Sequence, residues 1–240
     1  MEFSIYNLQE VPFEKLKDYG LSRLMIQDLP ENVMQRFLMG YPTPALPFST
    51  EDNDGKKVSV YAQISLIHKD DKVDFLFYPQ MESLDLSDFH NINPENIKDG
   101  MVVRSERGYS QYVAAIDQMI TVPYGIVLHN VEFMQGLLGF SSQDRDNILK
   151  GKVATFEYKK SIVSLGIDLN ERKCLRISKG QEQAWVNDAS YAALKKHSFG
   201  QYGCWITDDK QHLSYIPVQE YENHEDIMDA LRQQMGMSRS

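Results

Sequence analysis

The sequence predicts an α+β fold of short helices, each followed by antiparallel strands, ending in a β-hairpin and a C-terminal helix. Three observations carry this. A phrase recurs as Arg36-Phe37-Leu38-Met39-Gly40, Asn96-Ile97-Lys98-Asp99-Gly100 and Asn147-Ile148-Leu149-Lys150-Gly151, each copy ending a polar, helix-like run on a glycine. Each glycine leads into three strand-like runs: 45–49, 58–67 and 73–78; 101–104, 109–116 and 119–122; 153–158, 161–169 and 174–177. Further on, the run from Phe199 to Ile206 turns through Asp208-Asp209-Lys210 into His212 to Ile216, a hairpin pattern. The chain reads as three degenerate helix-glycine-strand units, although the glycine spacings of 60 and 51 residues are less regular than a solenoid's.

Each element has a local cause. Phe13 and Leu16 stand at i, i+3 ahead of Gly20, which predicts a helix over 12–19. Shorter helices follow over 24–29 and 30–39, the second with Val33, Phe37 and Leu38 on one face. Asp54-Gly55 is a hairpin turn signal. The run 73–78 is largely apolar on both faces, which predicts a central strand. Asn93 can cap a helix whose first position suits Pro94, and Gly100 can end it in the left-handed conformation. Ser141 and Asp144 make a capping-box pattern ahead of the third copy. Pro123 breaks the strand before it, and 130–138 is helix-like. Residues 178–197 look polar and irregular, anchored by Trp185. Asn223 caps a last helix, with Ile227 and Leu231 at i, i+4. A loop over 79–93 places a soft boundary. It divides the chain into a helical plus hairpin region, 1–84, and an α+β region, 85–240.

Composition narrows the function classes. A net charge of −9 opposes non-specific nucleic-acid binding. The charge is uneven: residues 1–100 carry 9 basic and 17 acidic groups, residues 141–200 carry 11 and 7. No stretch is apolar for long enough to span a membrane, so no membrane role is expected. The start Met1-Glu2-Phe3-Ser4 has no signal-peptide character. Cys174 and Cys204 form no CxxC pair, so free thiols and a cytoplasmic location are expected.

Three blocks carry a family resemblance: Val11-Pro12-Phe13-Glu14-Lys15-Leu16 with Tyr19-Gly20-Leu21-Ser22; Gly166-Ile167-Asp168-Leu169-Asn170; and Phe199-Gly200-Gln201-Tyr202-Gly203-Cys204-Trp205 with Asp208-Asp209 and Tyr215. Together they resemble an uncharacterised family, a domain of unknown function, encoded on conjugative elements of Bacteroidetes. The resemblance implies an intracellular bacterial protein linked to mobile DNA. It implies no mechanism.

The sequence offers little for catalysis. GxSxG, GxxxxGK[ST] and HExxH are absent, and the histidines are scattered away from zinc spacing. No metal and no cofactor are expected. Asp168 is either a buried carboxylate or a strand end opening a turn. Asp208-Asp209 read as turn residues rather than paired carboxylates for acid-base work, Cys204 as core rather than a nucleophile, and His212 as a strand histidine on the solvent face rather than a metal partner of Cys204. Tyr202, Trp205 and Tyr215 are the candidate partner-binding residues, with Gly200 and Gly203 marking tight bends or close backbone approach. Arg145, Lys150, Lys152, Lys159 and Lys160 form the alternative, a basic face for nucleic acid. The sequence therefore favours a non-catalytic module with a protein partner. An accessory nucleic-acid-binding protein is the second reading and an enzyme of unrecognised type the third.

Overall fold

The computed structural model describes residues 5–51, 55–87, 89, 97–171, 173–187, 194–234 and 236. In chain order the elements are α1 (Phe13–Lys17), α2 (Arg23–Gln27), α3 (Glu31–Leu38), β1 (Leu46–Glu51), β2 (Lys57–Lys69), β3 (Lys72–Pro79), β4 (Val102–Arg104), β5 (Tyr109–Val113), β6 (Gln118–Val122), α4 (Tyr124–Leu138), α5 (Ser142–Leu149), β7 (Ala154–Tyr158), β8 (Ser161–Ile167), β9 (Leu175–Lys179), α6 (Glu182–Asn187), β10 (His197–Phe199), β11 (Gly203–Thr207), β12 (Leu213–Pro217) and α7 (Glu225–Gln234). The strands form antiparallel meanders in consecutive threes, each with its second strand in the middle. The fold is α+β.

Gly40 and Gly151 sit where the chain leaves a helix for a meander, and Gly100 lies two residues ahead of β4. Gly40, Gly100 and Gly151 have φ of 81°, 74° and 80°. After α3, Gly40 N donates to Phe37 O at 2.9 Å and Tyr41 N to Arg36 O at 3.0 Å. After α5, Gly151 N donates to Ile148 O at 2.8 Å and Lys152 N to Asn147 O at 3.0 Å. Both helices thus end on the same pair of backward bonds, which satisfy carbonyls that the helix leaves open and require a left-handed residue. Gly100 N instead donates to Tyr112 O at 2.9 Å. The cap expected at Asn93 and Pro94 lies outside the described residues. The Ser141–Asp144 capping box forms, with Asp144 N donating to Ser141 Oγ at 3.1 Å.

The chain divides into two units, Met1–Gln80 with Ala193–Ser240, and Met81–Ala192. The sequence places the C-terminal hairpin in a region running from residue 85; in the structure it joins the N-terminal elements. Leu213 N donates to Ala45 O at 2.8 Å, and Ala45 and His212 form a parallel bridge. Pairing at that separation leaves no mark in local periodicity.

In the first unit, Leu16, Ile26, Val33 and Phe37 from the helices, with Leu21 between α1 and α2, are buried against Leu46, Ala62, Ile64 and Leu66 of the β1-β2-β3 meander. Trp205 and Leu213 complete that core. Burying a side chain of this size contributes about 1.5–3 kcal/mol. The expectation that 73–78 is a central strand is corrected. β2 is the middle strand and β3 an edge, with Leu76 and Phe77 exposed. The apolarity of β3 comes instead from a small aromatic cluster. Phe77 meets Phe48 edge-on at 4.8 Å, and Tyr19 meets Phe75 edge-on at 6.2 Å.

In the second unit, Val127 and Val131 of α4 and Ile148 of α5 pack with Tyr109, Ala154, Leu165 and Ile167. Gln111 ties two meanders together: its Nε2 donates to Gly100 O at 3.2 Å and its Oε1 accepts from Leu169 N. The helix expected over 130–138 is the second half of α4, which starts directly after Pro123. Residues expected to be irregular, 178–197, contain α6. Asn223 closes a 3-10 turn over Val218–Asn223, and α7 starts two residues later.

Candidate functional site

The aromatic hairpin is built around one carboxylate. Helix α2 starts on Ser22, whose Oγ accepts from Met25 N at 3.2 Å, and Asp28 is its C-cap. Asp28 Oδ1 accepts from Gln201 N at 2.8 Å, and Oδ2 from Tyr202 N at 2.8 Å and the Tyr215 hydroxyl at 2.6 Å. Asp28 is only 6 % exposed, so these three donors replace the water it has lost. Gly200 has no room for a Cβ, which would overlap the Asp28 carboxyl, and a Cβ at Gly203 would overlap the Tyr215 ring. The glycine pair marks close approach, as the sequence suggests. Burial and the Asp28 hydrogen bond both push the Tyr215 hydroxyl well above the usual phenol range.

The β10-β11-β12 sheet is covered on both faces. Trp205 points into the main core, donates from Nε1 to Met25 O at 3.0 Å and meets Tyr215 edge-on at 5.0 Å. Cys204 points the other way, packing with Tyr221 and Ile227 of the C-terminal elements. Trp205 is 0 % exposed and has no surface to offer a partner. Tyr202 and Tyr215 are half-buried.

Those two tyrosines line a groove of about 370 Å³ with Leu24 and Met25 on one side and Pro217 and Val218 on the other. Leu24 and Val218 are 45 % and 48 % exposed, high for side chains of this apolarity beside a concavity. None of the residues lining the groove is charged. The Tyr215 hydroxyl is spent on Asp28; among the described residues that of Tyr202 has no hydrogen-bond partner. A second concavity of about 370 Å³ lies on the other side of Tyr202, lined by polar groups that include Asp28, Glu31 and Gln201. Sequence reasoning missed Asp28, Leu24 and Val218. The glycines at 200 and 203 were the one signal that something sits against this turn.

The basic set falls on α5 and the turn after it and on the β7–β8 hairpin tip. Lys150 is the C-cap of α5, and exposed Lys152 follows the Gly151 turn. Lys159 and Lys160 occupy the β7–β8 hairpin tip, both at positive φ. The five residues of β7 set that tip roughly 17 Å along the strand from its start. Arg145 is half-buried, and its Nε has no hydrogen-bond partner among the described residues.

The carboxylates singled out in the sequence are structural. Strand β8 stops at Ile167, and Asp168 opens the turn, accepting from Asn170 N at 3.1 Å and Arg176 Nε at 2.8 Å. The Arg176 guanidinium lies 3.9 Å from the Trp185 ring centroid, and Trp185 Nε1 donates back to Arg176 O at 2.9 Å. Gly166 leaves space for that ring, which would stand 2.9 Å from a Cβ there. Asp208 Oδ1 accepts from Lys210 N and His212 N, each at 2.8 Å, and so holds the hairpin turn. The expectation that His212 lies on the solvent face is corrected: it is buried, stacked on Tyr61 at 4.3 Å. Both cysteines are buried free thiols, and burial pushes Cys204 up to about 11. Neither is poised as a nucleophile. Among the described residues no group of three His, Cys, Asp or Glu side chains could hold a metal ion. No helix among them is long and apolar enough to cross a membrane.

Residues 6–82 match the model of a family described as "Protein of unknown function (DUF4099)". The match takes in α1 to α3, the first recurring glycine and the β1-β2-β3 meander. No curated protein and no solved structure matches the chain.

Proposed function

We propose that the chain is a non-catalytic interaction module whose first unit takes an extended, uncharged, proline-containing segment of a protein partner in the Tyr202 groove. One observation carries this reading. Tyr202 stands half-buried in the wall of an apolar groove with an unspent hydroxyl, between exposed Leu24 and Val218. Aromatic-lined grooves of this kind suit polyproline-type segments, whose rings and methylenes fill the gaps while a tyrosine hydroxyl binds a peptide carbonyl. Pro217 lacks an N–H at this edge, which disfavours simple strand addition. The volume, about 370 Å³, takes one or two side chains.

The three sequence blocks that resemble mobile-element proteins support placing the partner among the products of the same element. The experiment is a selection from a displayed library of random and proline-containing peptides, followed by titration of the selected peptide. The expected result is an apolar, proline-containing consensus that the Tyr202→Ala variant binds at least five-fold more weakly, about 1 kcal/mol. A library that yields no binder, or a binder indifferent to both Tyr202→Ala and Leu24→Asp, overturns the reading.

A further inference from the structure

The second unit carries a different cleft, of about 340 Å³, that joins two segments distant in sequence. One wall is Arg104, the last residue of β4, directly paired with Tyr109 across the ladder. Paired residues point to the same face. The guanidinium carbon lies 5.9 Å from the Tyr109 ring centroid and 5.2 Å from that of Tyr124. The opposite wall is the end of α5, with Leu149 and the C-cap Lys150.

The tyrosine hydroxyls are occupied: Tyr109 donates to Leu149 O and Tyr124 to Ser105 O, each at 2.5 Å. They fix the walls rather than await a ligand. The Arg104 guanidinium hydrogen-bonds to Tyr124, which holds it in the wall. Arg104 and Lys150 are exposed, and among the described residues neither pairs with a carboxylate. Asp146 lines the same rim, so the net charge of the cleft is small and positive. Leu128, 37 % exposed, adds apolar surface.

We propose that this cleft binds one nucleotide of a single-stranded nucleic acid. Arg104 and Lys150 take adjacent backbone phosphates, and a base lies against the guanidinium and tyrosine wall. A planar guanidinium held over rings offers its open face to a base and its edge to phosphate. The apolar part of the wall does nothing for a bare anion, whereas stacking on aromatic and arginine surfaces is how single strands are held without reading sequence. Asp146 is an acceptor for an exocyclic amino group, which favours cytosine over thymine. The volume is near the lower end of small-ligand sites, roughly 300–1,000 Å³, and admits a splayed nucleotide but no duplex.

The test uses the full chain and a fluorescein-labelled 12-nucleotide oligodeoxycytidine, followed by anisotropy from 25 to 200 mM NaCl. Two neutralised phosphates predict that log K falls against log salt with a slope of about −1.4. Arg104→Ala is expected to weaken binding at least ten-fold and to reduce the slope by about 0.7, and Lys150→Ala to do likewise. The hairpin-tip pair Lys159→Ala with Lys160→Ala is expected to change little. Because Arg104 and Lys150 are exposed, unchanged circular dichroism and melting will show that these variants still fold; a variant that does not is replaced by Arg104→Gln. No binding at 25 mM salt overturns the proposal. So does binding that the tip variant abolishes while Arg104→Ala does not. Competition by inorganic phosphate or a phosphotyrosine peptide at lower concentration than the unlabelled oligonucleotide reassigns the cleft to another ligand and also overturns it.

Discussion

The Tyr215 hydroxyl donates a 2.6 Å hydrogen bond to Asp28 Oδ2, joining positions 187 residues apart. With the amides of Gln201 and Tyr202 it makes one carboxylate the point on which the C-terminal hairpin is fastened to the N-terminal helices. The dense aromatic and glycine run that the sequence displays is in large part this fastening.

Removing the acceptor should therefore cost more than removing one donor. Asp28→Ala leaves three donors facing an apolar gap, and is expected to destabilise by about 3 kcal/mol or more; Tyr215→Phe removes one charge-assisted bond, about 1.5–3 kcal/mol. Gly200→Ala is expected to be severe in the wild type and much milder in the Asp28→Ala background, because the overlap is with that carboxyl. Urea unfolding at pH 7 of the wild type and these four variants measures all three effects.

Burial of Tyr215 and the same bond together set an alkaline limit. Tyr215 is raised above its unfolded value of about 10, so the folded chain keeps the proton when the unfolded chain has begun to lose it. The stabilisation is complete below pH 10 and is lost as pH rises through the folded value. Tyr221, pushed to about 12 by burial, acts in the same direction. Stability should fall from about pH 10 upward, and Tyr215→Phe should make that decline shallower. Unfolding midpoints between pH 8 and 11.5 check it.

In the second unit, the Asp168–Arg176 pair is almost wholly buried, with side-chain exposures of 6 % and 10 %. Arg176→Met leaves a buried carboxylate alone and is expected to cost about 3–5 kcal/mol; adding Asp168→Asn should recover much of it. Trp185, stacked on the guanidinium, reports the loss as a shift in its fluorescence.

The two kinds of feature differed in how far the sequence revealed them. The stops at Gly40 and Gly151 were legible because ending a helix is local chemistry, settled by a glycine and the carbonyls a turn earlier. The turn at Asp168 was legible for the same reason. The partner of Gly200 was not, since Asp28 at the end of a five-residue helix carries no pattern of its own. The basic residues are near one another in sequence, which says little about nearness in space. The structure divides them between a helix end and a hairpin tip, and gives Lys150 a new neighbour in Arg104. Strand β3 looked central because its apolar residues serve an aromatic cluster with Tyr19 rather than a second sheet neighbour.

As proposed, the Tyr202 groove is a contact surface and not merely the outside of a core. The direct measurement is a titration of the ¹⁵N-labelled full chain with the selected proline-containing peptide, read by amide chemical shifts. The largest shifts are expected on Leu24, Met25, Tyr202, Val218 and Gln219, and are expected to vanish in Tyr202→Ala while its melting temperature is retained. Shifts centred on other residues, or a Tyr202→Ala chain that no longer folds, would contradict the proposal.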